Sequence, residues 1–246
     1  MRVLVLQHIA CEPPAVYEDV LLARGWAVVR VELDEGESLP GREAFDAIIA
    51  MGGPMGAYDE AEHPWLVKEK RLIAEAVRDG VPFFGACLGV QLLASALGAD
   101  VRPGPEPEVG VLPVELTPEG RADPLLAGLP ASFPAFQWHG DTFVLPDGAV
   151  RLFGSSAYAN QGFRFGACAY GVQFHLEVDE ELAALWAEVP AYRAAADATL
   201  GPGGLDRLLA DFRHHAPEMQ GYARSLFAAW CALAEQHANA RIAAVT

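Results

Sequence analysis

The segment PFFGACLGVQLLASALG, residues 82–98, is the most informative part of the sequence, because an apolar strand pattern runs directly into a helical pattern at its Gly-Ala-Cys-Leu-Gly corner. So sharp a turn forces the central residue into a strained backbone conformation, and small neighbours such as Gly85 and Gly89 leave room for it. Cys87 then lies at a helix N-terminus, where unpaired N–H groups favour a negatively charged sulfur. The stretch predicts a reactive cysteine, with a buried structural cysteine as the alternative.

A second motif, YGVQFHLE at residues 170–177, reads as a strand that ends in His175 and Glu177. Side chains two residues apart on an extended strand point to the same face. A carboxylate placed there can hold one imidazole nitrogen while the other nitrogen faces a thiol. We therefore expect Cys87, His175 and Glu177 to form a nucleophile–base–acid triad, although a lone histidine at a strand end is more often structural.

A third motif, GGPMG at residues 52–56, follows the apolar run 45–50 and is typical of a parallel strand that ends in a turn. Turns at the carboxyl ends of parallel strands build the sites of open α/β sheets. The backbone N–H of Gly53 is a candidate for an oxyanion hole, together with that of Leu88, which directly follows the cysteine. Many loops share this turn signal, so by itself it is weak evidence for a site.

The order of predicted elements indicates an α/β fold in three layers, with a mostly parallel central sheet flanked by helices. Strand patterns at 2–7, 27–33, 45–51 and 81–86 alternate with helical patterns at 15–24 and 65–78. A proline-rich loop is expected at 103–107, followed by strands at 109–116, 133–143, 151–154 and 163–174, some of them antiparallel. Beyond residue 178 the sequence predicts a helical extension, with helices at 180–196, 205–214 and 218–237 separated at 201–204 and Pro217.

Composition narrows the class of protein. The 246 residues are 52% hydrophobic and carry a formal net charge of −16, which argues against a nucleic-acid-binding surface. No apolar run is long enough to predict a membrane span, and the N-terminus reads as a buried strand rather than a secretion signal. The four cysteines lack metal-site or disulfide spacing and predict reduced thiols in the cytoplasm. The pair His214-His215 does not predict a metal site, because adjacent helical residues point about 100° apart.

Taken together, GGP, G-x-C-x-G-x-Q and Q-F-H-x-E resemble the motifs of the class I, triad-type glutamine amidotransferases. The stretches HPWL (63–66), EVG (108–110) and QWHGD (137–141) are similar to those of stand-alone proteins related to the glutaminase domain of GMP synthase. The resemblance implies a flavodoxin-like sheet and one domain over 1–246, with a catalytic core at about 1–178 and a helical extension at about 179–246. Leu176 departs from the pattern, since many relatives carry proline there.

The resemblance also implies roles for single residues. Cys87 corresponds to the nucleophile, His175 to the base and Glu177 to its orienting acid; Gly53 and Leu88 match the oxyanion positions. Three further residues match substrate-binding positions or a signature beside the site: Gln91, His139 and Asp141. The resemblance calls for no cofactor and no metal. Tyr58, Asp59 and Glu60 form a candidate rim.

The implied reaction is hydrolysis of the γ-carboxamide of glutamine through a γ-glutamyl thioester, with release of ammonia and glutamate. The small-molecule substrate is glutamine or another γ-glutamyl compound, and ammonia would pass to a separate synthetase subunit. One alternative is a γ-glutamyl peptidase that acts on glutathione-like compounds. Another is a non-catalytic redox or regulatory protein that uses Cys87 alone. The sequence also leaves open whether the protein forms a homodimer through the helical extension.

Overall fold

The computed structural model describes the backbone of residues 1–243 and the side chains of residues 1–238. In this part of the chain, nine strands form one mixed sheet in the order β2-β1-β3-β4-β9-β8-β7-β5-β6. The strands are β1 (Arg2–Gln7), β2 (Ala27–Glu32), β3 (Ala47–Ala50), β4 (Phe83–Ala86), β5 (Val101–Leu116), β6 (Ser132–Phe143), β7 (Val150–Gly154), β8 (Gly162–Phe165) and β9 (Ala169–Val172). The α-helices are α1 (Val16–Ala23), α2 (Trp65–Arg78), α3 (Leu88–Ala96), α4 (Pro118–Ala122), α5 (Glu180–Trp186), α6 (Pro190–Leu200) and α7 (Gly204–Ala243).

The expected α/β architecture is confirmed, and the sheet divides into two halves. Strands β2, β1, β3, β4 and β9 are parallel. Strands β9, β8, β7, β5 and β6 continue the sheet with antiparallel pairing. Strand β4, which precedes Cys87, and β9, which leads to His175, are adjacent, so the sheet brings the two motifs side by side.

Both faces of the parallel half are covered, which explains why its strands are continuously apolar. In β1, Val3 and Val5 belong to one hydrophobic cluster, which also contains Tyr17 of α1 and Phe227 of α7. The alternate residue Leu4 belongs to a second cluster, with apolar side chains of α2 and α3. The sheet is thus the middle layer of three, as the sequence predicts.

The expected loop at 103–107 is wrong, because β5 continues through it and pairs with β6 across a register shift between Pro103 and Glu108. Only Glu115 and Leu116, at the end of β5, pair with β7 on the other side. Proline has no N–H to donate to a neighbouring strand. The side of β5 that pairs with β7 only at its end does not need such a donor along the rest of its length.

Three other boundaries differ from the sequence prediction. The strand expected at 163–174 is the hairpin of β8 and β9, which turns where Gly166 takes a φ of +58°. The helix expected at 180–196 is divided into α5 and α6, and α6 begins at Pro190, a residue that suits a first helical turn. By contrast, α7 continues through Pro217, where a break is expected. The last three residues of the expected domain, 244–246, lie outside the described residues.

No helix within residues 1–243 is long and apolar enough to cross a membrane.

Candidate functional site

Cys87 occupies the corner between β4 and α3, and its backbone has the strain that the sequence predicts. Its φ of 51° and ψ of −106° lie outside the usual regions for a residue other than glycine. Its N–H donates to the carbonyl of Val172 at 2.8 Å, which fixes the corner on β9. A Cβ on Gly85 would lie 2.5 Å from the carbonyl carbon of Gly89, and a Cβ on Gly89 would collide with the carbonyl of Ala50. Both glycines are therefore needed for close packing of the corner.

His175 and Glu177 lie directly after β9 and are both 1% exposed. The imidazole Nδ1 is 2.6 Å from Oε1 of Glu177, whose Oε2 accepts from the N–H of Leu176 at 3.0 Å. The backbone of His175 exchanges two hydrogen bonds with Phe136 of β6, and its ring packs edge-on against Trp186 of α5. The orientation of this imidazole is thus fixed from several sides.

The pKa of His175 is well above its ordinary value. Burial acts to lower the pKa, but the charge of Glu177 and the hydrogen bond and charge interaction with the Cys87 sulfur outweigh it. These effects favour an imidazolium beside the thiol, which is the state that lets a cysteine attack as a thiolate. The structure therefore brings together the three residues that the sequence predicts as a triad.

A cavity of about 270 Å³ opens above Cys87. All the other sequence-predicted site residues line it: Gly53, Leu88, Gln91, His139 and Asp141. Tyr58 and Asp59 of the candidate rim also line the cavity, whereas Glu60 instead pairs with Lys70. His175 and Glu177 do not line the cavity, and His175 contacts it only through its hydrogen bond with Cys87.

Gly53 and Leu88 are close to each other on the wall beside Cys87. A Cβ added to Gly53 would lie 3.1 Å from Cδ2 of Leu88. Neither backbone N–H donates to a protein acceptor within the described residues. Two unpaired N–H groups beside a nucleophile are what an oxyanion hole requires.

Gln91 belongs to a short chain of side-chain hydrogen bonds that the sequence did not indicate. Its Nε2 donates to Oε1 of Gln173 at 3.1 Å, and Nε2 of Gln173 donates to Sγ of Cys87 at 3.4 Å. Gln173 precedes the histidine in the Q-F-H-x-E motif, and that position was its only signal in the sequence. Gln91 is thus linked to the cysteine through a neighbour as well as facing the cavity.

His139 has both ring nitrogens occupied. Nδ1 donates to the backbone carbonyl of Asp141 at 3.0 Å, and Nε2 lies 3.1 Å from Oε2 of Glu108. Burial raises the pKa of Glu108, but hydrogen bonds with His139, Ser155 and Gln161 outweigh this and lower it. The imidazole is therefore held between the Glu108 carboxylate and the backbone of β6 at Asp141, rather than being a free donor to a ligand.

Two buried residues that the sequence did not assign to the site lie next to it. The hydroxyl of Tyr192, on α6, donates to Oε1 of Glu12, and Tyr192 also lines the cavity. The Glu12 carboxylate packs against Gly52, whose absent Cβ would also lie 3.3 Å from Cε1 of His175. Burial raises the pKa of Glu12, although His175 and Tyr192 act to lower it. No sequence pattern joins residues 180 positions apart, so only the fold reveals this pair.

Metal-binding geometry is absent from the part of the chain that the structure describes. No three or more His, Cys, Asp or Glu side chains approach one another there in a way that could hold an ion.

Comparison with known proteins gives the family. The model of the family "Glutamine amidotransferase class-I" matches residues 18–184. The chain belongs to this family. The class-I glutamine amidotransferases were the family that the three sequence motifs resemble, and membership implies an amidotransferase or hydrolase activity.

Comparison with individual proteins supports the same family. The chain is 34% identical to the glutamine amidotransferase-like protein YfeJ of Salmonella typhimurium, over 74% of this chain and 77% of that protein. It is 32% identical to one of the subunits of the glutamine-hydrolysing GMP synthase of Sulfolobus acidocaldarius, over 60% of this chain and 76% of the relative.

Solved structures extend the similarity to nearly the whole chain. A glutamine amidotransferase from Thermotoga maritima superposes with a TM-score of 0.83 at 35% identity, over 94% of this chain and 97% of that one. One from Methylobacillus flagellatus gives 0.84 at 28% identity, over 94% of each chain. The helical extension is therefore included in the shared fold.

Proposed function

We propose that the protein hydrolyses the γ-carboxamide of glutamine through a triad of Cys87, His175 and Glu177. The observation that carries the proposal is the buried His175–Glu177 pair at 2.6 Å, whose imidazole is hydrogen-bonded to Cys87, a residue that lines the cavity. Membership of the family supplies the substrate class, and the names of the relatives, which include glutamine hydrolysis, support it.

In the first step, the Cys87 thiolate attacks the γ-carboxamide carbon and forms a carbon–sulfur bond. The carbonyl oxygen becomes an oxyanion, which the N–H groups of Gly53 and Leu88 stabilise. His175 gives its proton to the leaving nitrogen, the carbon–nitrogen bond breaks, and ammonia departs from a γ-glutamyl thioester.

In the second step, neutral His175 takes a proton from water, and the resulting nucleophile attacks the thioester carbon. The carbon–sulfur bond breaks, glutamate leaves and the Cys87 thiolate returns beside a protonated His175. Glu177 does not react itself, because its role is to hold Nδ1–H and stabilise the imidazolium.

The cavity wall suits an amino-acid substrate. Asp59 and Asp141 line it, and neither lysine nor arginine does so among the described residues. A carboxylate there can bind the α-ammonium group of the γ-glutamyl moiety. Burial raises the pKa of Asp141, against the hydrogen bond that Tyr58 donates. We propose that Gln91 and Asp141 contact this moiety, and that His139 fixes the backbone of β6 at Asp141.

We further propose that residues 1–246 act as one domain and that ammonia passes to a separate synthetase subunit. The chain is similar to a protein named as one of the subunits of GMP synthase, which supports a partner of that kind. Mixing the purified protein with candidate synthetases and measuring glutamine-dependent amination would test this proposal.

The central experiment combines covalent labelling with product analysis. The protein is exposed to a glutamine-derived chloroketone and weighed by intact mass spectrometry, with Cys87→Ala as the test variant and Cys168→Ala as the matched control. We expect one adduct in the wild type and in Cys168→Ala, none in Cys87→Ala, and ammonia release from glutamine only where the adduct forms. Cleavage of γ-glutamyl peptides without glutaminase activity would instead indicate a peptidase, and full turnover by Cys87→Ala would exclude the mechanism.

A further inference from the structure

His8 is a completely buried histidine that the mechanism above does not use. It follows β1 directly, and its Nδ1 lies 3.0 Å from the backbone carbonyl oxygen of Gly52. Its Nε2 lies 2.9 Å from Oε1 of Glu69 on α2, a side chain that is also fully buried. The ring stacks on Trp65 with planes 20° apart. Three neighbours therefore fix one imidazole in one orientation.

The direction of its hydrogen bond to Gly52 follows from chemistry. A carbonyl oxygen accepts and cannot donate, so Nδ1 must carry the proton. Burial acts to lower the pKa of His8, but Glu69 and the Gly52 carbonyl outweigh it and raise the pKa. His8 is thus favoured as an imidazolium that donates to Glu69 and Gly52 at once.

This hydrogen bond determines where the next N–H points. The carbonyl of Gly52 and the N–H of Gly53 belong to one peptide unit, and no peptide bond in the described chain is cis. In a trans peptide these two groups point in opposite directions. Because the carbonyl points at His8, the N–H of Gly53 points away from it. Gly53 lines the cavity beside Cys87, and this N–H has no protein acceptor in the described part of the chain.

We propose that His8, held by Glu69, is a positioning residue that locks the Gly52–Gly53 peptide with its N–H aimed at the substrate oxyanion. The inference rests on the proposed function, since it assigns a purpose to the Gly53 N–H. Without the hydrogen bond from His8, the peptide unit between the two glycines would rotate with little steric cost. This rotation would remove one of the two oxyanion donors.

Two isosteric substitutions separate the functions of the two ring nitrogens. The amide nitrogen of asparagine falls near the position of Nδ1, so His8→Asn keeps a donor for Gly52 and loses the contact with Glu69. The amide nitrogen of glutamine falls near Nε2, so His8→Gln keeps the contact with Glu69 and loses the donor for Gly52. His214→Gln, on the exposed face of α7, is the matched control.

The readout is the rate of Cys87 labelling by the glutamine-derived chloroketone divided by its rate with iodoacetamide. The chloroketone carbonyl occupies the oxyanion site, whereas iodoacetamide reacts by simple displacement and reports the thiolate alone. We expect His8→Gln to lower this ratio and kcat by about 100-fold with little change in KM, the order of effect of losing one oxyanion donor. His8→Asn should lose far less, and His214→Gln nothing.

Nitrogen-15 NMR of the histidine-labelled wild type provides a second test if His8→Gln fails to fold. The spectrum reports which ring nitrogens of His8 carry a proton, and the His8 signals are identified by their absence from His8→Asn. We expect a proton on Nδ1, because the Gly52 carbonyl can only accept. An unchanged labelling ratio in folded His8→Gln, or an unprotonated Nδ1 of His8 where His8→Gln is unfolded, would overturn the inference. A wild type that is labelled but hydrolyses nothing would overturn the proposed function instead, because the labelling ratio does not depend on turnover.

Discussion

The hydroxyl of Tyr192 on α6 donates to the buried carboxyl of Glu12, which follows β1, and so ties the helical extension to the segment after β1. The two residues are 180 positions apart in the sequence. Burial raises the pKa of Tyr192 well above its usual value, and the adjacent Glu12 raises it further, so the hydroxyl keeps its proton and remains a donor.

Replacing Tyr192 by phenylalanine removes this donor and leaves a buried carboxyl without its partner. We expect Tyr192→Phe to lower the free energy of unfolding by about 1–3 kcal/mol, the usual cost of an unsatisfied buried polar group. Tyr222→Phe is the control, because the hydroxyl of Tyr222 donates to Glu218 in an exposed pair on α7 and should contribute under about 0.5 kcal/mol. Urea denaturation measures both, and equal losses would contradict the prediction.

Glu177→Gln should change both the rate and its pH dependence. Glu177 raises the pKa of His175 against the effect of burial, so removing the carboxylate lowers that pKa. The imidazolium then loses its proton at lower pH, and the alkaline limb of the kcat profile moves to lower pH. We expect kcat to fall by roughly 10³-fold or more, yet less than in Cys87→Ala, because Glu177 orients rather than reacts.

The control for this variant is Glu180→Gln, which removes the carboxylate of an exposed ion pair between Glu180 and Arg213. It should leave the profile unchanged. An alkaline limb that stays in place in Glu177→Gln would show that another group sets it.

Replacing two helical glycines by alanine should change the stability of the protein in opposite directions. Gly89→Ala places a Cβ against the backbone carbonyl of Ala50 and should destabilise the fold by about 1–3 kcal/mol through overpacking at the corner. Gly221→Ala meets nothing within 4 Å on α7 and should stabilise it by about 0.5–1 kcal/mol through helix propensity. Thermal unfolding gives both signs, and a tolerated Gly89→Ala would mean that β3 can move away from α3.

Glu108→Ala should act on substrate binding more than on chemistry. It removes the acceptor that holds Nε2 of His139, whose Nδ1 donates to the backbone carbonyl of Asp141 on β6. We expect KM for glutamine to rise about tenfold, which corresponds to about 1.4 kcal/mol of binding, while kcat changes little. Glu115→Ala, an exposed position on the same strand, is the control. A fall in kcat at constant KM would argue that Asp141 does not contact the substrate.

The sequence predicts features that depend on neighbours in the chain. The corner at Cys87 is recognisable because Gly85 and Gly89 flank it. The His175–Glu177 pair is recognisable from its motif, but the strand expected to carry it ends at Val172, so both residues lie beyond β9 rather than on it. The two motifs meet because β4 pairs with β9. The alternation of strands and helices predicts a parallel sheet, but it does not predict that these two strands are neighbours.

The missed features depend on contacts between distant segments. Nothing near Glu12 or His8 in the sequence indicates Tyr192 or Glu69 as a partner, since these contacts exist only after α6 and α2 have packed onto the sheet. The continuous helix through Pro217 was missed for a related reason, because packing of α7 against the sheet outweighs the loss of one backbone hydrogen bond.

The length of α7 has a consequence for the order of folding. Trp230, near the end of the described helix, donates from Nε1 to the carbonyl of Phe83, four residues before the cysteine and 147 residues earlier in the chain. Domains fold as their residues leave the ribosome, and contacts so distant in sequence form late. We therefore expect a nascent chain to keep its nucleophile corner incomplete until Trp230 has left the ribosome, so that the thiol becomes competent only after α7 has packed onto the sheet.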